Sequence, residues 1–243
     1  YQVSDFDYDA ATKTYTLKDG VPYAGEKGNV KPGMWKFKNI DGSKDNKITE
    51  ADKTVIGNAY PKIYGGINNT FTYKDFDLSI FLTYSIGNDV FNATKLTNTK
   101  TALQNKNVLA VADSKHRWVL VNKVGDLITD PQEMADINKG KTVAAIYDNE
   151  AGDTYIHSWA VEDGSFLKLS NITLGYTFPK KMIRKVGLSK LRLYATGSNL
   201  LTWTKYSGFD PEVSTMGNGL TPGVDFGAYP RSRSFVFGIN LAF

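Results

Sequence analysis

The twelve residues from Asp41 to Asp52, DGSKDNKITEAD, have the spacing of a loop that binds a hard cation. In an EF-hand-type loop, oxygen ligands come from alternate positions and the twelfth residue closes the loop, which suits the six to eight oxygens that Ca²⁺ takes. The pattern assigns ligand oxygens to Asp41, Ser43, Asp45, the Lys47 carbonyl and Asp52.

Two positions of this loop depart from the calcium-binding pattern. Asn46 stands where a turn glycine is usual, which is tolerable because Asn enters the left-handed region more readily than most residues. Asp52 replaces the bidentate glutamate and so offers one ligand oxygen fewer. The spacing predicts a structural Ca²⁺ site, with a metal-free loop of Asx turns as the alternative.

A second group of residues combines aromatic rings with carboxylates near the end of the sequence. Rings beside carboxylates suit the binding of a sugar, although the same residue types are ordinary in loops at a membrane interface. The candidates for ligand contact are Trp203, Tyr206, Asp210 and Glu212.

Catalytic chemistry has little support in the sequence. The two histidines, His116 and His157, have no Cys, His or Glu at metal-ligand spacing, and a neighbouring serine does not make a catalytic pair. The sequence contains no cysteine, which excludes disulfides and thiolate chemistry. The net charge of +4 is small and dispersed, so nucleic-acid binding is not expected. We therefore expect a protein that is not an enzyme.

Long amphipathic β-strands must position these candidate residues. Period-2 alternation of apolar and polar residues predicts five strands, at residues 63–73, 76–86, 166–178, 191–204 and 234–243. These strands exceed the usual five or six residues of soluble sheets and match a tilted crossing of a membrane. In the last strand, large apolar side chains from Phe235 to Phe243 alternate with small ones.

The connections between these strands alternate strictly between short and long. Short segments at residues 74–75 and 179–190 alternate with long ones at residues 1–62, 87–165 and 205–233. Outer-membrane barrels have this organisation, with short periplasmic turns and long outer loops. Aromatic residues also cluster at both ends of the predicted strands, as at membrane interfaces. Five strands cannot close a barrel wide enough to carry a ligand, so more polypeptide is needed.

Several segments resemble SusC/RagA-type TonB-dependent transporters of the Bacteroidetes outer membrane. They are WAVEDGSFLKLSNITLGYTFP at 159–179, LSKLRLYATGSNLLTW at 188–203, YSGFDPE at 206–212, FGAYPR at 226–231, the terminal strand, and KTVIG at 53–57. The similarity covers most of residues 30–90 and 157–243. It implies an all-β chain that forms the C-terminal part of a large transmembrane β-barrel, with about five antiparallel strands and long outer loops.

The resemblance also implies a domain organisation and partners. Residues 1–62 would be an extracellular loop region holding the acidic loop, and residues 63–243 would supply the barrel strands with outer loops at 87–165 and 205–233. The plug domain through which TonB energises import is not expected within this sequence. The implied partners are the remaining barrel and plug, a SusD-like surface lipoprotein, outer-membrane lipid, and an oligosaccharide or peptide ligand, all in the bacterial cell outer membrane. The alternative is a secreted, calcium-stabilised, glycan-binding β module.

Overall fold

A computed structural model of the protein describes residues 1–99, 107–147, 155–212 and 222–243. The chain divides into two compact units: residues 1–56 with 95–157, and residues 57–94 with 158–243. The predicted outer loops 87–165 and 205–233 include residues 100–106, 148–154 and 213–221, so these parts of the prediction lie outside the described residues.

The first unit is built from short elements around two small apolar clusters. Strands β1 (Phe6–Asp9) and β2 (Thr14–Leu17) form an antiparallel hairpin. Helix α1 (Ala93–Asn98) crosses the sequence boundary between the units, and α2 (Pro131–Ile137) belongs to the first unit. The clusters comprise Tyr1, Phe6, Leu17 and Val30, and Trp118, Ile128, Met134 and Ala145. Residues predicted as loops thus include a packed core.

Local signals explain where helices of this unit begin. The Asp130 carboxylate accepts a hydrogen bond from the Glu133 backbone N–H, and Pro131 occupies the first helical position of α2. Thr49 and Asp52 form a reciprocal capping box around the short 3₁₀ helix Glu50–Asp52. Further 3₁₀ turns in this unit span Val3–Asp5, Lys27–Asn29 and Ala110–Ala112.

The second unit contains the five long strands. They are β3 (Ile63–Tyr73), β4 (Phe76–Ile86), β7 (Phe166–Thr177), β8 (Lys190–Thr204) and β10 (Ser234–Ala242). They form one antiparallel sheet in the order β3-β4-β7-β8-β10, so every strand pairs with the next long strand along the chain. All five predicted strands are present, with ends within one residue of the expected positions. The sheet is open among the described residues, which agrees with a partial barrel.

Shorter elements complete this unit. Strands β5 (Asp89–Asn92), β6 (Val161–Asp163) and β9 (Val224–Asp225) form a three-stranded sheet in the order β6-β5-β9. Helix α3 (Lys180–Ile183) and the 3₁₀ turn Arg184–Val186 connect β7 to β8, and the 3₁₀ turn Ser158–Ala160 precedes β6. Gly187, at φ +75°, ends the 3₁₀ turn Arg184–Val186 in the left-handed conformation that glycine adopts readily.

The register of the long strands separates two chemically different faces. One row of paired residues crosses all five strands with apolar side chains: Phe71, Leu78, Leu174, Ala195 and Phe237. The adjacent row lies on the opposite face and is mainly hydroxylated: Thr70, Ser79, Thr173, Thr196 and Val236. The sheet thus has an apolar face and a polar face, as the alternation predicts.

A bulge preserves this separation in the middle of the sheet. The pairing shifts between Leu169 and Asn171 of β7, and opposite the single unpaired residue Ser170, β8 has two residues, Asn199 and Leu200. Asn199 has φ +54°, a conformation that Asn tolerates. After the bulge, Leu169 again pairs with Leu201 on the apolar face.

The short connections all lie at one end of the sheet, and aromatic rings gather there. Phe76 and Tyr176 have ring centroids 4.7 Å apart, and the ring of Phe178 lies 4.9 Å from that of Tyr176. The turn between β3 and β4 uses Lys74 at φ +54°. No helix in the described ranges is both long enough and apolar enough to span a membrane.

Candidate functional site

Hydrogen bonds between neighbouring strands cover the polar face of the sheet. The Ser79 hydroxyl donates to the Asn68 amide oxygen at 3.3 Å, and the Ser198 hydroxyl donates to the Asn171 amide oxygen at 2.7 Å. Two hydroxyl–hydroxyl pairs, Thr83 with Ser170 and Thr173 with Thr196, are 2.6 and 2.9 Å apart. Hydroxyl and amide groups are suited to a water-filled interior, whereas lipid gives them no partners.

A bidentate ion pair bridges three strands on the same face. Arg192 of β8 donates from Nε to Asp77 Oδ1 at 2.9 Å and from Nη2 to Asp77 Oδ2 at 2.5 Å. The pair passes over Gly175 of β7, where a Cβ atom would overlap both side chains. Gly175 therefore makes room for a contact between strands that are not neighbours. The pair is not among the residues predicted from the sequence, although a glycine inside a strand is a signal of close approach.

Lys168 of β7 organises the ionic groups at the end of the sheet remote from the short connections. Its side chain is only 3% exposed, and its Nζ lies 2.6 Å from Glu212 Oε2 and 3.9 Å from Asp210 Oδ2. Arg231 also approaches Glu212, at 3.4 Å. The structure thus brings together Asp210 and Glu212, two of the predicted ligand residues. A buried lysine requires such carboxylate partners.

Tyr206, the third predicted ligand residue, is buried. Its hydroxyl donates to Asp225 Oδ2 at 2.7 Å. Burial, followed by the hydrogen bond to that carboxylate, raises the pKa of Tyr206 well above its usual range, so the phenol stays protonated. Glu162 of β6 accepts hydrogen bonds from the N–H and hydroxyl of Ser207, both at 2.8 Å. These bonds fix the first residues after β8 to the small sheet.

Trp203, the fourth predicted ligand residue, lies on the other side of the sheet. It pairs with Leu167 on the apolar face and is 51% exposed, whereas Lys168 is on the polar face. The structure therefore separates Trp203 from Asp210 and Glu212. A ligand-binding role for these four residues stays a prediction.

In the first unit, hydrogen bonds to Asp52 close the acidic loop. Asp52 Oδ1 accepts from the backbone N–H groups of Ile40 at 2.7 Å and Asp41 at 3.3 Å, and Oδ2 accepts from Thr49 at 2.8 Å. The bonds from Thr49 and Ile40 hold the pKa of Asp52 below its usual range. Asp52 is thus an ionised acceptor for backbone amides, with little capacity left for a cation.

The remaining acidic residues of the loop form Asx turns. Asp41 Oδ1 accepts from the Ser43 N–H at 2.8 Å and Asp45 Oδ1 from the Lys47 N–H at 3.2 Å, while Asn46 adopts φ +56°. Within the described ranges, no three His, Cys, Asp or Glu side chains are grouped so that they could hold a metal ion. In this conformation the residues fit the metal-free alternative better than a calcium cage, and Ca²⁺ binding stays a prediction.

The two histidines occupy separate local environments in the first unit. His116 Nδ1 lies 2.7 Å from Asp113 Oδ1, and the ring of His157 lies against Trp35 and Phe37, with centroids 4.7 and 5.7 Å away. The two rings thus have different neighbours, an aspartate at His116 and aromatic rings at His157.

Taken together, the long strands have the features of one class of structure. An antiparallel sheet with an apolar face, a hydrogen-bonded polar face, interfacial aromatic rings and all short connections at one end is part of the wall of a transmembrane β-barrel. This agrees with the fold class expected from the sequence.

Comparison with known proteins identifies the family. The chain is 31% identical over 221 residues to TonB-dependent receptor P3 of Formosa agariphila, a match that covers 89% of this chain and 20% of that protein. It is 28% identical over 206 residues to TonB-dependent receptor SusC of Bacteroides thetaiotaomicron, covering 84% of this chain and 17% of that protein. The chain belongs to the SusC/RagA-type TonB-dependent receptors, as its sequence motifs predict. No family model matches it.

Solved structures agree with this assignment. The RagAB peptide transporter superposes with a TM-score of 0.57 at 25% identity, covering 76% of this chain and 17% of that one. The RagAB peptide importer in its open-open state gives a TM-score of 0.56 at 23% identity, which supports the fold. The chain thus spans about a fifth of the length of the relatives that it matches.

Proposed function

We propose that this chain forms part of the barrel wall of an outer-membrane importer of glycans or peptides that is energised by TonB. The observation that supports the proposal is the two-faced sheet, whose apolar side suits lipid and whose polar side suits a ligand pathway. TonB would act through a plug domain supplied by other parts of the polypeptide. Among the competing functions, a secreted β module is not favoured, because the relatives are TonB-dependent receptors.

We further propose that the end of the sheet remote from the short connections faces the cell exterior and receives a SusD-like lipoprotein. Outer-membrane barrels keep their long loops outside. The contacts of Lys168 with Glu212 and of Tyr206 with Asp225 stabilise the start of the last long connection at this end. Asp210 and Glu212 would then lie near arriving ligand on the polar side of the wall.

Import can be tested in a strain that lacks the transporter carrying this chain. Restoring the intact transporter should restore uptake of one ligand class, either oligosaccharides or peptides, and depletion of TonB should abolish that uptake. A transporter with a disabled plug is the matched control, because it retains the barrel wall. Uptake that persists without TonB, or no uptake of either ligand class, would contradict the proposal.

The partner can be tested with the same strain. An affinity tag on the intact transporter should recover a surface lipoprotein of the SusD type, together with the glycan or peptide that it delivers. Mass spectrometry of the purified complex would identify both. Recovery of the transporter alone, from cells in which import is active, would count against the lipoprotein partner and leave the barrel assignment in place.

A further inference from the structure

The connection between β7 and β8 carries a run of positive charge at the end of the sheet where the short connections lie. The segment 179–190 contains no acidic residue. The exposed cations of α3 and the 3₁₀ turn that follows it are Lys180, Lys181, Arg184 and Lys185. Within the described residues, none of these four side chains takes part in an ion pair. The described part of the chain therefore leaves their charge uncompensated.

The same segment exposes apolar side chains beside its cations. Met182 is 60% exposed and Val186 is 70% exposed. Ile183 is buried instead, and its carbonyl accepts a hydrogen bond from the Leu188 N–H at 3.2 Å. Ile183 thus fixes the segment to the protein, while Met182 and Val186 are left for another apolar environment. We call these two residues, together with the four cations, the basic turn.

The basic turn continues directly from the apolar face of the sheet. The rings of Phe76 and Tyr176 lie on that face, and the ring of Phe178, one residue before Pro179, lies 4.9 Å from that of Tyr176. In the neighbouring short turn, Lys74 Nζ lies 5.3 Å from the centre of the Tyr73 ring. Apolar side chains, then aromatic rings, then cations is the order expected where a protein passes from acyl chains into anionic headgroups.

We propose that the basic turn binds anionic phospholipid of the periplasmic leaflet. The short connections of outer-membrane barrels lie on the periplasmic side, where the leaflet is made of phospholipids. Cations without carboxylate partners complement a phosphodiester that has no ammonium group of its own. Met182 and Val186 would lie against the ester ends of the acyl chains, as the apolar side of an interfacial segment does.

A soluble acidic protein is the competing occupant of such a surface. It would match the four cations, but it would not account for an exposed apolar pair that continues the lipid-facing side of the sheet. The membrane is therefore the occupant that fits both the charge and the apolar side chains. The inference rests on the proposed position of this sheet in the membrane wall and adds a lipid-binding surface to it.

Fluorescence quenching can identify the lipid next to the basic turn. The intact transporter carrying this chain, made otherwise free of cysteine, receives a fluorophore through Val186→Cys and is reconstituted in phosphatidylcholine vesicles. A small fraction of the lipid is phosphatidylglycerol or phosphatidylethanolamine with a nitroxide near the ester end of one acyl chain, which quenches the fluorophore on contact. Phosphatidylglycerol should quench more strongly than phosphatidylethanolamine at the same fraction. High salt should reduce the difference, because it screens the attraction between the charges.

Charge variants show whether the cations cause this preference. Lys181→Gln should lower the preference for phosphatidylglycerol about fivefold, the factor that corresponds to about 1 kcal/mol for each cation at an anionic membrane surface. Lys181→Arg should retain the preference, and changing all four cations of the basic turn to glutamine should remove it. The matched control also removes four positive charges, by changing exposed lysines of the first unit to glutamine, and should leave the preference intact: Lys38, Lys115, Lys123 and Lys139.

Labels at other positions separate this surface from general lipid contact. A fluorophore at Ile86→Cys, at the other end of the apolar face, should show no preference for phosphatidylglycerol. The same preference at that position, or a preference that survives neutralisation of all four cations, would overturn the proposal.

A label in the wall distinguishes failure of this proposal from failure of the barrel assignment. Phe237→Cys lies on the apolar face of β10 and should be quenched by both lipids. Quenching at position 237 without quenching at position 186 would reject the lipid-binding surface alone, as expected if the basic turn contacts a soluble protein. Absence of quenching at both positions would contradict the proposed place of the sheet in the membrane wall.

Discussion

A single arginine placed on the apolar face of β4 should destabilise the barrel far more than one placed on the adjacent polar position. Ile80 lies on the apolar face, and Ser79 lies on the polar face next to it. Both residues are near the middle of an eleven-residue strand, so they lie on opposite faces of the sheet but at nearly the same depth in the membrane. The pair Ile80→Arg and Ser79→Arg therefore isolates the environment of each face.

The geometry of the strand sets the expected free energies. Eleven residues at about 3.3 Å each, tilted by about 40°, span roughly 28 Å, close to the apolar band of an outer-membrane barrel. Ile80 is one residue from the centre of β4, so it lies about 3 Å from the midplane. Arginine at this depth costs about 2–4 kcal/mol, whereas Ile86→Arg at the end of the strand should cost about 0–1 kcal/mol. Ser79→Arg loses one hydrogen bond, worth about 1 kcal/mol.

Guanidinium titration of the intact transporter in lipid vesicles measures these differences. The folded fraction can be followed by the electrophoretic mobility of unheated samples. Ile80→Arg should be less stable than Ser79→Arg by about 2 kcal/mol, a factor of about 30 in the unfolding equilibrium. Equal destabilisation by the two variants, or a larger effect at Ser79, would refute the assignment of the faces.

Three further predictions concern other contacts of the chain. The first concerns a double-mutant cycle of Asp77→Ala and Arg192→Ala. Unfolding titrations should give a coupling free energy of about 1–2 kcal/mol, because the ion pair is bidentate and partly buried. A coupling free energy of zero would show that the pair does not stabilise the protein. For the acidic loop, the Asp41→Ala and Asp45→Ala double variant should lower the thermal stability in Ca²⁺ but not in chelator if the loop binds calcium, and equal behaviour in both would support the metal-free loop. Because the folded state lowers the pKa of Asp52, the contribution of this carboxylate to stability is present at neutral pH and is lost as the pH falls through its folded pKa. Hydrogen exchange of the backbone amides of residues 39–53, corrected for intrinsic rates, should therefore accelerate in acid. The Asp52→Asn variant should lose most of that pH dependence.

The wall strands could be predicted because their signal is long and local. Alternation of apolar and polar residues over nine or more positions indicates a β-strand and does not fit a helix. The strand ends also lie next to turn residues such as Lys74 and Asp75. Phe81 is the one large apolar residue of β4 on the polar face. The structure explains it by a contact across the sheet, because the Phe81 ring lies over Gly66 of β3. A sequence pattern within one strand could not show that partner.

The first unit and the bulge were not predictable in the same way. Strands β1 and β2 have only four residues each, too few for a clear period, and their core depends on contacts between distant residues such as Tyr1 and Val30. The bulge at Asn199 becomes evident only from the pairing of β7 with β8.

The candidate site shows the same limit. Asp210 and Glu212 could be singled out as a carboxylate pair, but their partner Lys168 is more than forty residues away in the sequence and is brought to them by the strand register. Closeness in sequence alone groups Trp203 with these two carboxylates. The alternation of β8 places it on the opposite face from Lys168.

The central claim is that the apolar face contacts lipid and the polar face contacts water, and spin labelling tests it most directly. Because this chain has no cysteine, single Cys variants can be introduced along β7 at Ile172, Thr173 and Leu174. The rest of the intact transporter must also be freed of reactive cysteines. In lipid vesicles, labels at 172 and 174 should be relaxed mainly by oxygen, which partitions into lipid, and the label at 173 mainly by a water-soluble nickel complex. The same accessibility at all three positions, or the opposite alternation, would contradict the account.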